Sequence, residues 1–143
     1  MKLNIKRLHS NAILPTKATE GSAAYDLYAA EDLFLQPGAT GSVSTGLAME
    51  IPSGWKGDIY SRSGLASQGV VVANSPGKID SDFRGEIQVL LHNARNHDMV
   101  AIGTGDRIAQ FEINPVHDIE FEEEEDLTET DRGDMGFGST GYN

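Results

Sequence analysis

Ala109-Gln110-Phe111-Glu112-Ile113-Asn114 alternates apolar and polar side chains over six residues. Period-two alternation puts every second side chain on the same face, so this stretch predicts a half-buried β-strand. The same pattern recurs elsewhere. Leu3 and Ile5 alternate with Lys2, Asn4 and Lys6; Ile87, Val89 and Leu91 alternate with Glu86, Gln88 and Leu90; Ile119 and Phe121 alternate with Asp118, Glu120 and Glu122. Val70-Val71-Val72 is a short β-branched run that fits a strand buried on both faces.

Turn-forming glycine, proline, serine and asparagine separate these segments, and no long segment keeps a helical period. One or two helical turns are predicted around Ser63-Gly64-Leu65-Ala66-Ser67-Gln68, ending at Gly69. Sixteen glycines among many short strands predict an all-β chain, a barrel or jelly roll. No repeat or linker divides its 143 residues, so a single domain is expected.

Composition narrows the function classes. A net charge of −11 excludes nonspecific nucleic-acid binding, which needs a basic footprint. A small anionic ligand stays possible, because a few arginines and a divalent cation can make one pocket positive. Cysteine is absent, which removes disulfides and thiolate metal sites. No stretch reaches the roughly 18 apolar residues of a membrane span. Residues 1–7 lack the apolar core of a secretory signal, so the expectation is a soluble, cytoplasmic protein with no membrane or nucleic-acid partner. The acidic run Glu120–Asp126 reads as a solvated edge.

Five segments carry chemistry. Ser61-Arg62-Ser63-Gly64-Leu65-Ala66 sets hydroxyls, a guanidinium and a glycine at a helix start. It is either a phosphate grip or an ordinary capped turn. Asp80-Ser81-Asp82-Phe83-Arg84-Gly85-Glu86 is either a charged hairpin or the home of a general base. At strand spacing Asp80 and Asp82 share a face with Phe83 opposite, unless a turn or bulge intervenes. Ala24-Tyr25-Asp26-Leu27 and Gly105-Asp106-Arg107-Ile108-Ala109-Gln110 each hold an aspartate that spacing cannot assign to a buried turn or a metal. From Thr128 onward four glycines fall within residues 133–141, alongside Arg132, Phe137, Ser139 and Thr140. That tail is either a disordered terminus or a loop able to wrap an anion and stack on a ring.

In this order the five segments resemble the five motifs of the trimeric dUTPase family, over residues 24 to 141. The resemblance implies a jelly-roll-like β-barrel body over 1–127. It also implies a flexible glycine-rich C-terminal arm over 128–143, closing over an active site shared within a homotrimer. It implies Mg²⁺-assisted hydrolysis of dUTP to dUMP and pyrophosphate. In that scheme Asp80 activates the attacking water and Asp26 meets the metal through water. Arg62, Ser63 and Gly64 hold the phosphates, and the substrate-binding Gln110 joins Asp26 at the metal through water or the phosphates; Asn74, Gly77 and Ile79 serve the uracil edge; Phe83 packs under the sugar. Arg132, Phe137, Gly138, Ser139 and Thr140 close from the arm.

Four positions depart from the family pattern. Phe83 replaces tyrosine. Ser61 replaces a proline, which should relax the loop before the phosphate site. Met135 replaces a glycine. Lys78 replaces an apolar residue beside Asp80, pointing either outward or close enough to lower the pKa of Asp80. A dCTP deaminase is the nearest rival, but it needs a glutamate to handle ring protons where this chain carries the dUTPase form of residues 80–86.

Overall fold

A computed structural model describes residues 1–141; positions 142 and 143 of the proposed arm lie outside the described residues. Eleven strands and one short helix make up its regular structure: β1 Asn4–Arg7, β2 Tyr25–Tyr28, β3 Leu33–Leu35, β4 Thr40–Ser44, β5 Leu47–Glu50 and β6 Trp55–Tyr60, then α1 Ser63–Ala66, then β7 Val70–Val72, β8 Gly77–Ile79, β9 Gln88–Asn93, β10 Val100–Ile102 and β11 Arg107–Pro115. The all-β, jelly-roll-like reading is correct. The strands form four antiparallel sheets rather than one closed barrel: β2-β11-β6-β8, β4-β9-β7, β1-β5 and β10-β3.

β11 is the longest strand and lies at the centre of its sheet, between β2 and β6. Its period works as the sequence predicts, since Ala109 and Phe111 are buried. They join Leu27, Ile59, Val43, Leu47, Ile87, Val89 and Leu91 in one core between the sheets. At about 25 cal/mol per Å² of apolar area removed from water, such a core is the main driving force of the fold.

The opposite face of the four-stranded sheet is polar. Gln110 pairs with Asp26 on one side and Tyr60 on the other, Glu112 with Asp58, Asn114 with Lys56, and Asp58 with Lys78. Alternate side chains of one strand share a face, so all of these lie together.

The β2–β11 register shifts between Arg107 and Ala109. Ile108 is the extra residue, and the bulge leaves Ile108 and Ala109 both buried. It also turns Arg107, opposite Tyr28, onto the face that carries Asp26.

Two expectations need correction. Ile119 and Phe121 form no strand; they are 67% and 90% exposed. Among the described residues no strand pairs with them, and an alternating segment without a ladder partner stays extended in solvent. Val70-Val71-Val72 is a strand, but it is the edge of its sheet, and Val71 is only half-buried.

Candidate active site

Asp26 is buried on β2, and both of its carboxylate oxygens face guanidinium groups. Arg62 Nε lies 3.4 Å from Oδ1 and Arg107 Nη1 lies 3.6 Å from Oδ2. Arg62 also donates to the Arg107 carbonyl at 3.2 Å. It holds that position as the extended residue just before α1, with φ −79° and ψ 133°. Ser63 and Gly64 follow in the exposed first turn, and a Cβ on Gly64 would meet nothing within 4 Å. No contact inside the chain therefore calls for glycine there. Gly69, at φ +83°, ends the turn as expected.

Arg62 and Arg107 open onto a cavity of about 480 Å³, also lined by Tyr28, Leu65, Gln68 and Arg95. Arg107 and Arg95 were not singled out from the sequence. The signal for Arg107 is the bulge, and a bulge breaks the very period from which faces are read.

Asp80 stands elsewhere. β8 ends at Ile79, and a turn follows in which Phe83 N–H donates to the Asp80 carbonyl at 3.2 Å. The intervening turn removes the strand alternation of Asp80, Asp82 and Phe83. Arg84 closes the turn from below, donating to the Ser81 carbonyl at 2.7 Å. Ile79, Asp80 and Phe83 line a second cavity of about 490 Å³ with Ser42 and Gln88. Asp80 also borders a third, of about 540 Å³, with Trp55, Lys56, Asp82 and Asp118. Neither shares a residue with the arginine-lined cavity.

The Phe83 ring is 42% exposed and lies directly over Gly85, where a Cβ would fall 2.6 Å from Cζ. Real Cβ atoms do not tolerate that distance, so the ring keeps this pose only above a glycine. Asn74 packs over Gly77, with its amide nitrogen 3.2 Å from where a Gly77 Cβ would be.

Ser61 does not relax its loop. Its N–H donates to Ser75 Oγ at 3.2 Å, and its Oγ accepts from Val72 N–H at 2.8 Å. A proline has no N–H and could make neither contact, so serine ties the phosphate-side loop to the one carrying Asn74.

Lys78 takes the outward of its two expected orientations, its side chain 49% exposed, and its ammonium lies 2.6 Å from Asp58 Oδ1. Burial pushes the Asp58 carboxyl up, but hydrogen bonds from Lys78 and Asn114 and the charges of Lys78 and Lys56 hold it below the usual carboxylate range.

The tail from residue 128 forms turns and no regular element. Arg132 Nε donates to the Met135 carbonyl at 2.8 Å, and Ser139 N–H donates to Gly136 at 3.1 Å. Phe137 has φ +51°, and its ring is fully exposed. Gly138, Ser139 and Thr140 continue beside it, and none of the five tail residues lines the cavities just described.

Among the described residues no group of three or more histidine, aspartate or glutamate side chains is gathered to hold a metal. The donor set near Asp26 is one carboxylate with Gln110 directly opposite it on β11. That set suits a hard cation which keeps most of its waters and takes its remaining ligands from a phosphate chain.

Comparison with known proteins bears on the family of the chain. The sequence model described as dUTPase matches residues 10–141. The deoxyuridine 5'-triphosphate nucleotidohydrolase of Anaplasma marginale (strain St. Maries) is 51% identical over 146 residues, covering 99% of each chain. The enzyme of the same name from Helicobacter pylori (strain Shi470) is 44% identical, covering 99% of this chain and 97% of its own. Among solved structures, the dUTPase of Staphylococcus bacteriophage 80alpha with dUPNHPP superposes with a TM-score of 0.90 at 29% identity, over 99% of both chains. A dUTPase mutant from phage phi11 of S. aureus, described with a coordinated structural Mg(II) ion, matches with a TM-score of 0.80 at 26% identity, over 89% of this chain and 99% of that one. The motifs, the all-β body and these relatives lead to one assignment: the chain belongs to the dUTPase family.

Proposed function

We propose that this chain, a nucleotide hydrolase, cleaves dUTP between the α and β phosphates, giving dUMP and pyrophosphate at sites shared by three copies. Such a reaction lowers dUTP and supplies dUMP for dTTP synthesis. One observation carries the shared-site reading. Within one chain the expected residues fall into three groups: Asp26 and Arg62, which Arg107 joins, the hairpin of Asn74 to Phe83, and the tail from Arg132 to Thr140. None of the cavities described above is lined by residues of more than one group, which supports a working site that draws each group from a different chain.

Asp80 orients and deprotonates the water that attacks the α-phosphorus in line. A carboxylate is a weak base at its ordinary pKa near 3.9, so positioning and neutralised phosphate charge carry most of the rate. Arg62, with Ser63 and Gly64 at the open start of α1, holds phosphates, and Gly64 lets them approach the backbone. Asp26 and Gln110 would be the residues that hold Mg²⁺, which would supply charge neutralisation on the triphosphate. Asp26, placed between Arg62 and Arg107, holds both of them in place.

The hairpin backbone at Gly77 and Ile79, with the Asn74 amide, reads the uracil edge. Cytosine would leave a buried polar group unpaired there. Phe83 packs under the sugar and leaves no room for a 2′-hydroxyl. The tail closes last, with Phe137 stacked on uracil and Arg132, Gly138, Ser139 and Thr140 around the outer phosphates, which excludes bulk water.

The test is pyrophosphate release from dUTP, dCTP, dTTP and UTP by the purified full chain, with and without Mg²⁺. Release confined to dUTP and dependent on Mg²⁺ is expected. Ammonia released from dCTP, or no pyrophosphate from dUTP, defeats the proposal.

A further inference from the structure

Asp58 is 2% exposed as a side chain, one of the few fully buried carboxylates of the fold. It is also fully partnered: Lys78 Nζ lies 2.6 Å from Oδ1, Asn114 Nδ2 donates to Oδ2 at 2.7 Å, and Lys56 Nζ lies 3.5 Å from Oδ2. These four residues come from β8, β11 and β6, so the carboxylate joins three neighbouring strands on the polar face of one sheet.

We infer that Lys78 is a positioning residue for Asp80, acting through Asp58 to fix the short strand from which the Asp80 turn departs. The inference rests on Asp80 being the base of the proposed reaction.

β8 has three residues and lies at the edge of its sheet, so among the described residues its one ladder partner is β6. Asp58 and Lys78 are the central pair of that ladder, with Gly57 opposite Ile79 and Ile59 opposite Gly77. Gly77 contributes no side chain, which leaves the Lys78–Asp58 contact as the polar cross-strand link nearest Asp80. Two residues later the chain leaves the sheet, and the turn holding Asp80 is closed by its own bonds, Phe83 N–H to the Asp80 carbonyl and Arg84 to Ser81. Those bonds set the shape of the turn, while β8, with the half-exposed Arg84–Glu50 ion pair at 3.6 Å, sets where it stands. Truncating Lys78 leaves a buried carboxylate short of its nearest cation, and a small shift of β8 relieves that cost. A displacement of about 1 Å at a catalytic group is enough to cost up to about 100-fold in rate.

The test compares Lys78→Met, Asp58→Asn and the double variant Asp58→Leu/Lys78→Met in the full chain. It measures kcat and KM for dUTP with Mg²⁺ across pH, and affinity for a non-hydrolysable dUTP analogue. Each single variant should lose about tenfold in kcat, with KM and analogue affinity within about twofold of the parent and the acid limb of the kcat profile unmoved. The double variant replaces the pair by apolar neighbours and should recover kcat to within about threefold of the parent. Unchanged kcat in Lys78→Met overturns the inference, as does a KM that rises in step with the loss. An acid limb that moves in Lys78→Met but not in Asp58→Asn also overturns it, because Lys78 would then act on Asp80 directly by charge. If Lys78→Met does not fold, Lys78→Gln, which keeps a donor toward Asp58 without the charge, is measured instead: kcat within about threefold of the parent supports positioning through the contact, and a moved acid limb overturns it. Asp80→Asn with near-normal turnover is a separate outcome: it removes Asp80 as the base while leaving the strand measurement readable.

Discussion

Arg107 reaches the buried carboxylate of Asp26, Nη1 to Oδ2 at 3.6 Å, because Ile108 is an extra residue in β11. Without the bulge Arg107 would lie on the other face of the sheet, and Asp26 would keep Arg62 alone. The two residues should therefore act as a unit. Asp26→Asn and Arg107→Met should each lower kcat/KM for dUTP by about tenfold or more, and the double variant should lose clearly less than the product of the two. Strict multiplication of the losses would show that they work independently.

Asp80→Asn keeps the shape of the side chain and removes its ability to take a proton. Turnover should fall by about 10²- to 10⁴-fold, the usual worth of a general base, while analogue binding survives. Pre-steady-state and steady-state pyrophosphate release both read this out. Near-normal turnover would assign the base elsewhere.

How much was legible in the sequence depends on whether a feature repeats. The face of β11 was readable because Ala109 and Phe111 obey a period and the core rewards it. The bulge at Ile108 was not, because two adjacent apolar residues look like noise in an alternating pattern. Ile119 and Phe121 alternate just as well, yet alternation says what a strand would bury and nothing about which strand would pair with it. The partners of Lys78 and Ser61 were missed for a related reason. Their partners, Asp58 and Ser75, lie 20 and 14 residues away and meet them only through the β6–β8 ladder and the adjoining loop. The motifs of the site stand in a recognisable order, but order along the chain hides their division into three separate groups.

Gly85 sets the pose of Phe83 and so should bear on sugar selection. A methyl at that position would overlap the ring at 2.6 Å from Cζ. Gly85→Ala should push the ring out of its place, narrowing the kcat/KM preference for dUTP over UTP by about tenfold or more. Phe83→Tyr, which keeps a ring of the same outline, should leave the preference intact. Equal discrimination in Gly85→Ala would mean that another residue excludes the 2′-hydroxyl.

The tail should be needed for turnover and not for folding. Truncation after Asp131 removes Phe137 with its fully exposed ring and leaves every core residue in place. The shortened chain should keep the melting temperature of the parent to within a few degrees and sediment as the same trimer. Its kcat should fall by about 10²-fold for want of a water-excluding lid. Full activity in the truncated chain would end the lid assignment, and a monomeric parent would end the shared site.

Stability should fall at low pH through Glu86. Burial pushes its carboxyl up, but hydrogen bonds from Ser44 Oγ and the Gly46 N–H, 2.9 Å away, together with the charge of His9, bring it below its ordinary value. A carboxyl more acidic in the folded than in the unfolded chain adds stability above its unfolded pKa, near 4.3, and loses it as pH falls through the lower folded value. Asp58 has the same sign. The melting temperature should therefore hold from neutral pH down to about 5 and drop below about 4. Glu86→Gln should melt lower at pH 7 and show a shallower drop on acidification, since its amide does not titrate. Parallel melting curves for the two proteins across that range would place the acid sensitivity in other carboxylates.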